Sequence, residues 1–225
     1  MMTRSASKPN ARSARTRDAL IQAGLRLFAT RPVDAVPIDD IVSLADVAKG
    51  SFFNHFKDKH QFASAIATEI RRDIEARVGA ANAHKVDPVD RLTGGMLTAV
   101  DFALRERERA IVMLRGLTWT TARDHPLNKG LREDIEAGGA AGLLCEEART
   151  SGLLFWLGTC QMLMVNVIER QFTRVEAAER MREIMTMALI GLGVDAAPAH
   201  ALAQACAARL LASPEGWDTG DLPSG

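Results

Sequence analysis

The chain has 225 residues, of which 47% are hydrophobic and 25% charged, and its 28 Lys and Arg residues balance its 28 Asp and Glu residues. This composition excludes a largely disordered chain and is sufficient for one or two domains with buried cores. The three cysteines are far apart and form no Cys-X-X-Cys pair or Cys/His cluster, which argues against a disulfide framework or a zinc site. We therefore expect no cofactor and a reducing, cytoplasmic environment.

Charge is distributed unevenly along the chain. Residues 1–60 contain ten Lys and Arg but six Asp and Glu, so the remainder carries the compensating acidic excess. The first seventeen residues contain no acidic side chain and five basic ones, which are Arg4, Lys8, Arg12, Arg15 and Arg17. We interpret residues 1–13 as a flexible basic arm. Such an arm is typical both of phosphate contact and of a solvated tail, and both roles stay open.

Apolar residues at helical spacing predict a first helix from about Thr16 to Thr30, which Arg31-Pro32 ends. Two short helices follow, at about Pro37–Leu44 and Lys49–His55, separated by a turn near residues 45–47. Two short helices joined by such a turn and flanked by longer helices are typical of a helix-turn-helix. The second short helix of this motif can enter the major groove of DNA.

Capping signals mark the longer helices of the chain. Asp58 begins a fourth helix, with Gln61 at the capping-box position. Asp87-Pro88 is a helix start, and helical periodicity continues to about Ala122 with a break near residues 105–109. A further helix is predicted over residues 127–149, where Thr150-Ser151-Gly152 ends it.

The last third predicts a long apolar helix over residues 153–172 and a second over residues 174–190, opened by a Thr173–Glu176 capping box. A final helix runs from Pro198 to about Leu211. The apolar run Leu153–Ile168 is about sixteen residues long, just under a membrane span, so we expect a buried or subunit-interface helix and no membrane. No segment shows strand alternation, and the predicted fold is all-α with about nine to ten helices.

The first sixty residues carry a family resemblance. The segments TRDALIQAGLRLFA (residues 16–29), IDDIV (38–42) and VAKGSFFNHFKDK (47–59) resemble, in order and spacing, the DNA-binding region of TetR/AcrR transcriptional regulators. The resemblance covers residues 14–74 and implies a DNA-binding helix-turn-helix domain there. It also implies a ligand-binding and dimerisation domain over residues 75–212, with residues 213–225 as a tail.

The same resemblance implies which residues contact DNA. Lys49, Ser51 and Asn54 are the candidates for base edges, since Lys can bind guanine and Asn can bind adenine. Gly50 would let the backbone approach the DNA closely. The other matched positions, which flank these or correspond to phosphate contacts, are Thr16, Arg17, Pro37, Ala48, Phe53, His55 and Lys59.

Several positions depart from the family pattern. Asp46 stands where glycine is usual in the turn, and Asp tolerates a left-handed backbone better than most residues. Ala48 replaces a usual Ser or Thr cap, Phe53 a usual Tyr, and Pro37 a usual Ser or Thr. Asp39 stands where a basic residue is frequent. Together these departures predict weaker non-specific DNA affinity, for which the basic arm can compensate.

A cavity in the second domain is also implied by the resemblance, and it would hold a small, largely apolar effector. Methionine and aromatic side chains suit such a ligand, although for any single one of them core packing or a dimer contact is the favoured interpretation. The candidate lining residues are Phe102, Met113, Leu117, Trp119, Thr120, His125, Trp156 and Met162.

The functional prediction is a ligand-released repressor that binds a palindromic operator in double-stranded DNA as a homodimer, through residues 153–172 and 174–190. One alternative is an activator or corepressor-dependent regulator of the same fold. Another is a helical small-molecule-binding protein that has lost DNA binding. No nucleophile–base pair, paired carboxylates or metal-binding spacing is evident, so we predict no enzymatic activity and no metal.

Overall fold

The structure, a computed structural model, describes residues 11–116 and 125–213. Over these two ranges the regular elements are ten α-helices and two short 3-10 helices with no strand, which confirms the predicted all-α fold. The helices are α1 (Ala11–Thr30), α2 (Ile38–Leu44), α3 (Lys49–His55), α4 (Lys59–Ala81), α5 (Pro88–Arg105), α6 (Arg107–Gly116), α7 (Lys129–Ala140), α8 (Ala148–Arg170), α9 (Arg174–Gly191) and α10 (Ala196–Ala212).

The chain forms two compact units. Of the described residues, the first unit contains those up to Ile70 together with residues 111–116, and the second contains residues 71–110 and 125–213. The first unit therefore holds the predicted helix-turn-helix. The sequence-based domain boundary at residue 74 stays a prediction.

Four phenylalanines form the core of the first unit. The ring of Phe62 lies 5.8 Å from that of Phe28, 5.2 Å from that of Phe52 and 4.6 Å from that of Phe56, measured between centroids. These rings join α1, α3 and the start of α4, and their tilted and edge-on contacts add to the stabilisation that comes from burying apolar area. Gly24 lies against Phe62 so closely that a Cβ atom would be 2.6 Å from the ring.

The turn between α2 and α3 depends on a left-handed residue. Asp46 has a φ of 53°, as expected from its place where the family has glycine. The amide of Asp46 donates to the carbonyl of Ser43 (3.2 Å), and that of Val47 donates to the carbonyl of Val42 (3.0 Å). This hydrogen-bond pair ends α2 and redirects the chain into α3.

The predicted cap of α4 is present. Asp58 Oδ1 accepts a hydrogen bond from the Gln61 amide (2.8 Å), while Gln61 Oε1 accepts one from the Lys57 amide (2.6 Å). The reciprocal bond thus reaches the residue before Asp58 instead of Asp58 itself. The Gln61 amide holds the pKa of Asp58 below its usual value, because it stabilises the carboxylate.

Helix α5 lies at the centre of the second unit and contacts α7, α8, α9 and α10. Its start is the predicted one: Asp87 Oδ1 accepts from the amides of Val89 (2.8 Å) and Asp90 (2.9 Å), and Pro88 occupies the first turn. The Thr173–Glu176 capping box of α9 is also confirmed. Both helices begin where their capping residues predict.

Three sequence-based helix boundaries are wrong. Helix α1 begins at Ala11, before the predicted Thr16. Helix α7 ends at Ala140 instead of near residue 149, because Gly142 adopts a φ of +70° and Leu143 donates to the carbonyl of Gly138 (2.9 Å). Residues 150–152 do not end a helix but lie in the first turns of α8.

Helix α8 is the one helix, within the described ranges, whose length and apolar composition would allow it to cross a membrane, and 39% of its most apolar window is buried. The core helix of a soluble protein passes the same test. Leu153, Trp156 and Leu163 are buried in the second unit, whereas Leu154, Phe155 and Met162 are exposed.

Candidate nucleic-acid interface

Helix α3 has one buried face and one exposed face. Phe52 is fully buried and anchors the helix in the aromatic core of the first unit. Lys49, Gly50, Phe53 and Asn54 are exposed, and Ser51 and His55 are half-buried. The predicted base-contacting residues Lys49, Ser51 and Asn54 therefore lie on one short helix whose orientation Phe52 fixes.

The backbone of α3 is open at its start. A Cβ atom added to Gly50 would meet nothing within 4 Å, so this position offers an unobstructed approach to the backbone. Ala48 precedes the helix in an extended conformation and supplies no side-chain cap, as its identity requires.

Lys49 has an acidic partner within the first unit. Its Nζ atom lies 2.7 Å from Asp39 Oδ1, which joins the first turn of α3 to the first turn of α2. The next residue, Asp40, pairs instead with Arg31, at 3.0 Å. The pairing of Lys49 was not anticipated from the sequence. The signal that could have found it is the ten-residue separation of opposite charges at the two helix starts of one helix-turn-helix.

The predicted phosphate-contacting side chains also have partners within the first unit. Arg17 lies 3.4 Å from a carboxylate oxygen of Glu69, the Thr16 hydroxyl donates to the Arg12 carbonyl (3.0 Å), and Lys59 Nζ donates to the Asp34 carbonyl (2.7 Å). Surface contacts of this kind contribute little free energy in water, so these side chains can leave their present partners and bind DNA phosphates instead. Pro37 precedes α2 and, like Ala48, provides no cap.

The candidate effector-binding residues are dispersed over the described ranges. Phe102 and Trp156 are buried in the second unit, Met162 is exposed on α8, and Met113 is buried in the first unit. His125 is half-buried, and its Nδ1 accepts from the Leu127 amide at 3.3 Å. Leu117, Trp119 and Thr120 lie outside the described residues. The lining of an effector cavity stays a prediction.

Phe102 lies beneath a network of charged residues. The guanidinium carbons of Arg77 and Arg109 are 5.5 and 5.6 Å from its ring centroid, within the range of cation–π contact. Asp73 pairs with both arginines at 2.9 Å, and Glu106 also bridges them. The network joins residues of α4, α5 and α6 that all belong to the second unit.

Two observations concern the reactive and metal-binding side chains of the described residues. Burial raises the pKa of the Cys160 thiol to about 12, so this cysteine holds its proton at neutral pH. The residues in the two described ranges form no group of three His, Cys, Asp or Glu that could hold a metal ion.

Known proteins resemble this chain most clearly in the first unit. Residues 20–66 match the family described as "Bacterial regulatory proteins, tetR family". The repressor DhaR of Mycobacterium sp. (strain GP1) is 34% identical over 77 residues, which is 34% of this chain and 39% of that protein. The repressor KstR2 of Mycolicibacterium smegmatis is 27% identical over 100 residues, or 44% and 48%. The chain thus matches less than half the length of either curated relative.

A solved structure extends the likeness to the second unit. The crystal structure of RolR in complex with resorcinol has a TM-score of 0.62 and 22% sequence identity, and covers 85% of this chain and 94% of its own. At this identity the comparison establishes the fold. The fold is therefore all-α, with an N-terminal helix-turn-helix domain of the kind found in bacterial regulatory proteins. Residues 20–66 match the DNA-binding region of the TetR family, and the chain is similar to transcriptional repressors.

Proposed function

We propose that the protein is a repressor that binds a specific operator through α3 and leaves it when a small molecule binds. The observation that carries this proposal is the exposed face of α3, where Lys49, Gly50 and Asn54 lie opposite the buried Phe52. Lys and Asn are side chains that distinguish guanine and adenine in the major groove. A glycine with open space around it allows the helix to come close to the bases.

A symmetric dimer would complete the operator-binding unit. Large apolar side chains are exposed along α8 and α9, namely Leu154, Phe155, Met162, Val175, Met187 and Ile190. A two-fold contact between copies of these helices would remove that apolar area from water. The two copies of α3 would then meet half-sites separated by about 34 Å, or a multiple of that spacing, on a palindromic operator.

The effector is proposed to be a small, largely apolar molecule that binds the second unit. The buried Phe102, Trp156 and Met96 show that this unit contains the aromatic and thioether side chains that such a molecule prefers. The structural relative RolR was crystallised with resorcinol, a small aromatic compound. Release requires the effector to bind more tightly to the state that does not fit the operator.

The site of action is proposed to be the cytoplasm, where the DNA lies. Activation, or repression that needs a corepressor, would use the same fold. The sign of regulation depends on where the operator lies and on which state the effector prefers. A helical protein that has lost DNA binding is the remaining alternative, and the exposed Lys49 and Asn54 argue against it.

The decisive experiment titrates the full-length protein against labelled DNA from upstream of its own gene and follows fluorescence anisotropy. The variants are Asn54→Ala and Gln22→Ala, a matched pair because Gln22 is also an exposed amide in the first unit but lies on α1. We expect Asn54→Ala to lose about tenfold in affinity or more, since a good side-chain–base pair is worth roughly 1–3 kcal/mol. Gln22→Ala should bind like the wild type.

A random-sequence library covers the case in which the operator lies elsewhere. Selection of a two-fold symmetric site from that library, with binding that resists competitor DNA, supports a sequence-specific regulator. Binding that no sequence improves, from either source of DNA, contradicts the proposal and favours the alternative without DNA recognition.

A further inference from the structure

Asp39 and Lys49 form an exposed ion pair at the candidate DNA-binding face. The carboxylate and ammonium lie 2.7 Å apart, with the Asp39 side chain 68% exposed and the Lys49 side chain 57% exposed. Neither group is held in the core, so both can reach a ligand in solvent. The pair belongs to the first turns of α2 and α3, the two helices of the helix-turn-helix.

The start of α2 is unsuited to phosphate. Pro37 has neither a side-chain hydroxyl nor a backbone N–H, and the next turn presents the carboxylates of Asp39 and Asp40. The Asp40 carboxylate is already paired with Arg31, at 3.0 Å. The ligand that Asp39 suits is therefore a neutral hydrogen-bond donor next to an acceptor for Lys49, because a phosphate would be repelled.

A guanine–cytosine base pair presents this arrangement in the major groove. Guanine offers the acceptors O6 and N7, and cytosine offers the N4 amino group. O6 and N4 are hydrogen-bonded to each other and so lie about 2.9 Å apart, close to the separation of the two charged groups of the protein. Lys49 can donate to O6 and N7 while Asp39 accepts from N4, without the ion pair separating.

The other base pairs complement this ion pair less well. In an adenine–thymine pair the amino donor lies between the two acceptors, and the thymine methyl group flanks O4. The ammonium would then meet a single acceptor, either N7 alone or O4 with the methyl group beside it, instead of two adjacent acceptors. Selectivity for guanine–cytosine follows from the order of the groups across the groove.

We propose that Asp39 is a specificity-determining residue that, together with Lys49, reads one guanine–cytosine pair in each operator half-site. This inference rests on the proposed function. It adds a residue of α2 to the recognition surface and gives it a base preference. It also assigns Asp39 a second effect, which is to oppose binding to DNA that lacks the pair, because the carboxylate neutralises Lys49 and would be repelled by the phosphates.

The variant Asp39→Asn removes the carboxylate charge and keeps the size of the side chain. We expect it to reduce the preference for guanine–cytosine at one position per half-site by about tenfold. Its affinity for non-specific DNA should rise, and its salt dependence should steepen by about one unit in the slope of log K against log salt. Loss of sequence preference together with a gain of non-specific affinity distinguishes this role from a structural one.

The test is selection from a random-sequence DNA library, followed by salt titrations on the selected site and on a scrambled duplex. The full-length wild type is compared with Asp39→Asn, Asp39→Ser and Lys49→Gln. Asp40→Asn is the matched control, since Asp40 is the neighbouring carboxylate and pairs with Arg31 instead. Circular dichroism establishes that each variant is folded, and Asp39→Ser replaces Asp39→Asn if that variant is not.

The outcomes separate this inference from the proposed function. The inference is supported if the wild type selects one guanine–cytosine position per half-site, and if that preference weakens in Asp39→Asn and Lys49→Gln but not in Asp40→Asn. A wild-type site that Asp39→Asn leaves unchanged overturns the inference and leaves the proposed function standing. Equal loss in Asp40→Asn also overturns it, since the effect would then be one of charge alone. A wild type that selects no site overturns both.

Discussion

Asp46 lies in the turn between α2 and α3 and has a left-handed backbone conformation. Its φ of 53° lies in the left-handed region, which costs an L-residue with a side chain of order 1 kcal/mol or more. Asp tolerates this region better than most residues, and glycine tolerates it best. Asp46 is thus one of the few residues other than glycine that suit this turn.

Substitution at residue 46 tests this argument. Asp46→Val should lower the free energy of unfolding by about 1–2 kcal/mol, because a β-branched side chain is strained at positive φ. Asp46→Gly should leave the free energy of unfolding unchanged or raise it. Urea denaturation followed by circular dichroism measures both. Equal stability of the two variants would show that the turn does not constrain this residue.

Gly24 packs so closely against the aromatic core of the first unit that no space is left for a side chain at this position. A Cβ atom there would lie 2.6 Å from Phe62 and 2.7 Å from Ile66. Gly24→Ala should therefore lower the free energy of unfolding by about 1–3 kcal/mol, the usual cost of overpacking. Gly79→Ala is the control, because Gly79 lies in α4 with nothing within 4 Å of its Cβ position.

For the control variant we expect a change in the free energy of unfolding of the opposite sign. Gly79→Ala should stabilise the protein by up to about 1 kcal/mol, since alanine is the better helix former. Thermal or urea denaturation of both variants gives the comparison. Destabilisation by the two substitutions alike would point to a general intolerance of alanine and not to contact with Phe62.

At the scale of single elements, the start of α3 lacks a capping group. Ala48 has the extended conformation of a helix cap, with φ −68° and ψ 145°, but no side-chain acceptor. Ala48→Ser should therefore raise the free energy of unfolding by about 1 kcal/mol. Ala48→Val, which also lacks an acceptor, should not. Chemical denaturation measures the difference, and an absence of any gain in Ala48→Ser would mean that the amides of α3 are satisfied in another way.

The helices that the sequence predicted best are those with local capping signals. Asp87-Pro88 and Thr173–Glu176 place the starts of α5 and α9 because a cap acts on amides two or three residues away. The end of α7 was misplaced because it depends on the left-handed backbone of Gly142, one of several glycines near that point. Gly152, read as a helix end, lies inside α8 near Ile135 and Leu192, and such distant contacts leave no local signal.

The candidate site, like the helices, could be predicted from the sequence only where the signal is local. Lys49, Gly50 and Asn54 could be predicted because they lie on one short helix whose register Phe52 fixes. The partners of Arg17 and Lys59 could not be read from the sequence, since they come from other elements of the first unit. The partner of Lys49 also comes from another helix, and its one signal is the ten-residue separation of opposite charges at two helix starts. The effector cavity is harder still, because any apolar side chain of the second unit fits core, cavity or subunit contact equally well from sequence alone.

At the scale of the whole molecule, the exposed apolar rows of α8 and α9 support the proposed two-fold assembly. Met187 is 70% exposed and Phe155 is 43% exposed, and both belong to the set of apolar side chains that a two-fold contact of α8 and α9 would cover. The double variant Phe155→Glu, Met187→Glu should sediment as a monomer at micromolar concentration, because a two-fold interface would bring four carboxylates together. Its operator affinity should fall with the loss of the second half-site contact.

Val86→Glu is the matched control for that variant. Val86 is 95% exposed in the second unit but precedes α5 and lies outside the two apolar rows. The Val86→Glu variant should sediment like the wild type in analytical ultracentrifugation. If the double variant still sediments as a dimer, the interface does not lie on α8 and α9.

The buried position of Trp156 makes the protein suited to optical study. The chain contains three tryptophans and no tyrosine, so its near-ultraviolet emission comes from indole alone. Replacing Trp119 and Trp217 by phenylalanine would leave a single emitter, which α8 holds inside the second unit. Aromatic compounds could then be screened by quenching of one intrinsic chromophore, with no label attached and no knowledge of the operator required.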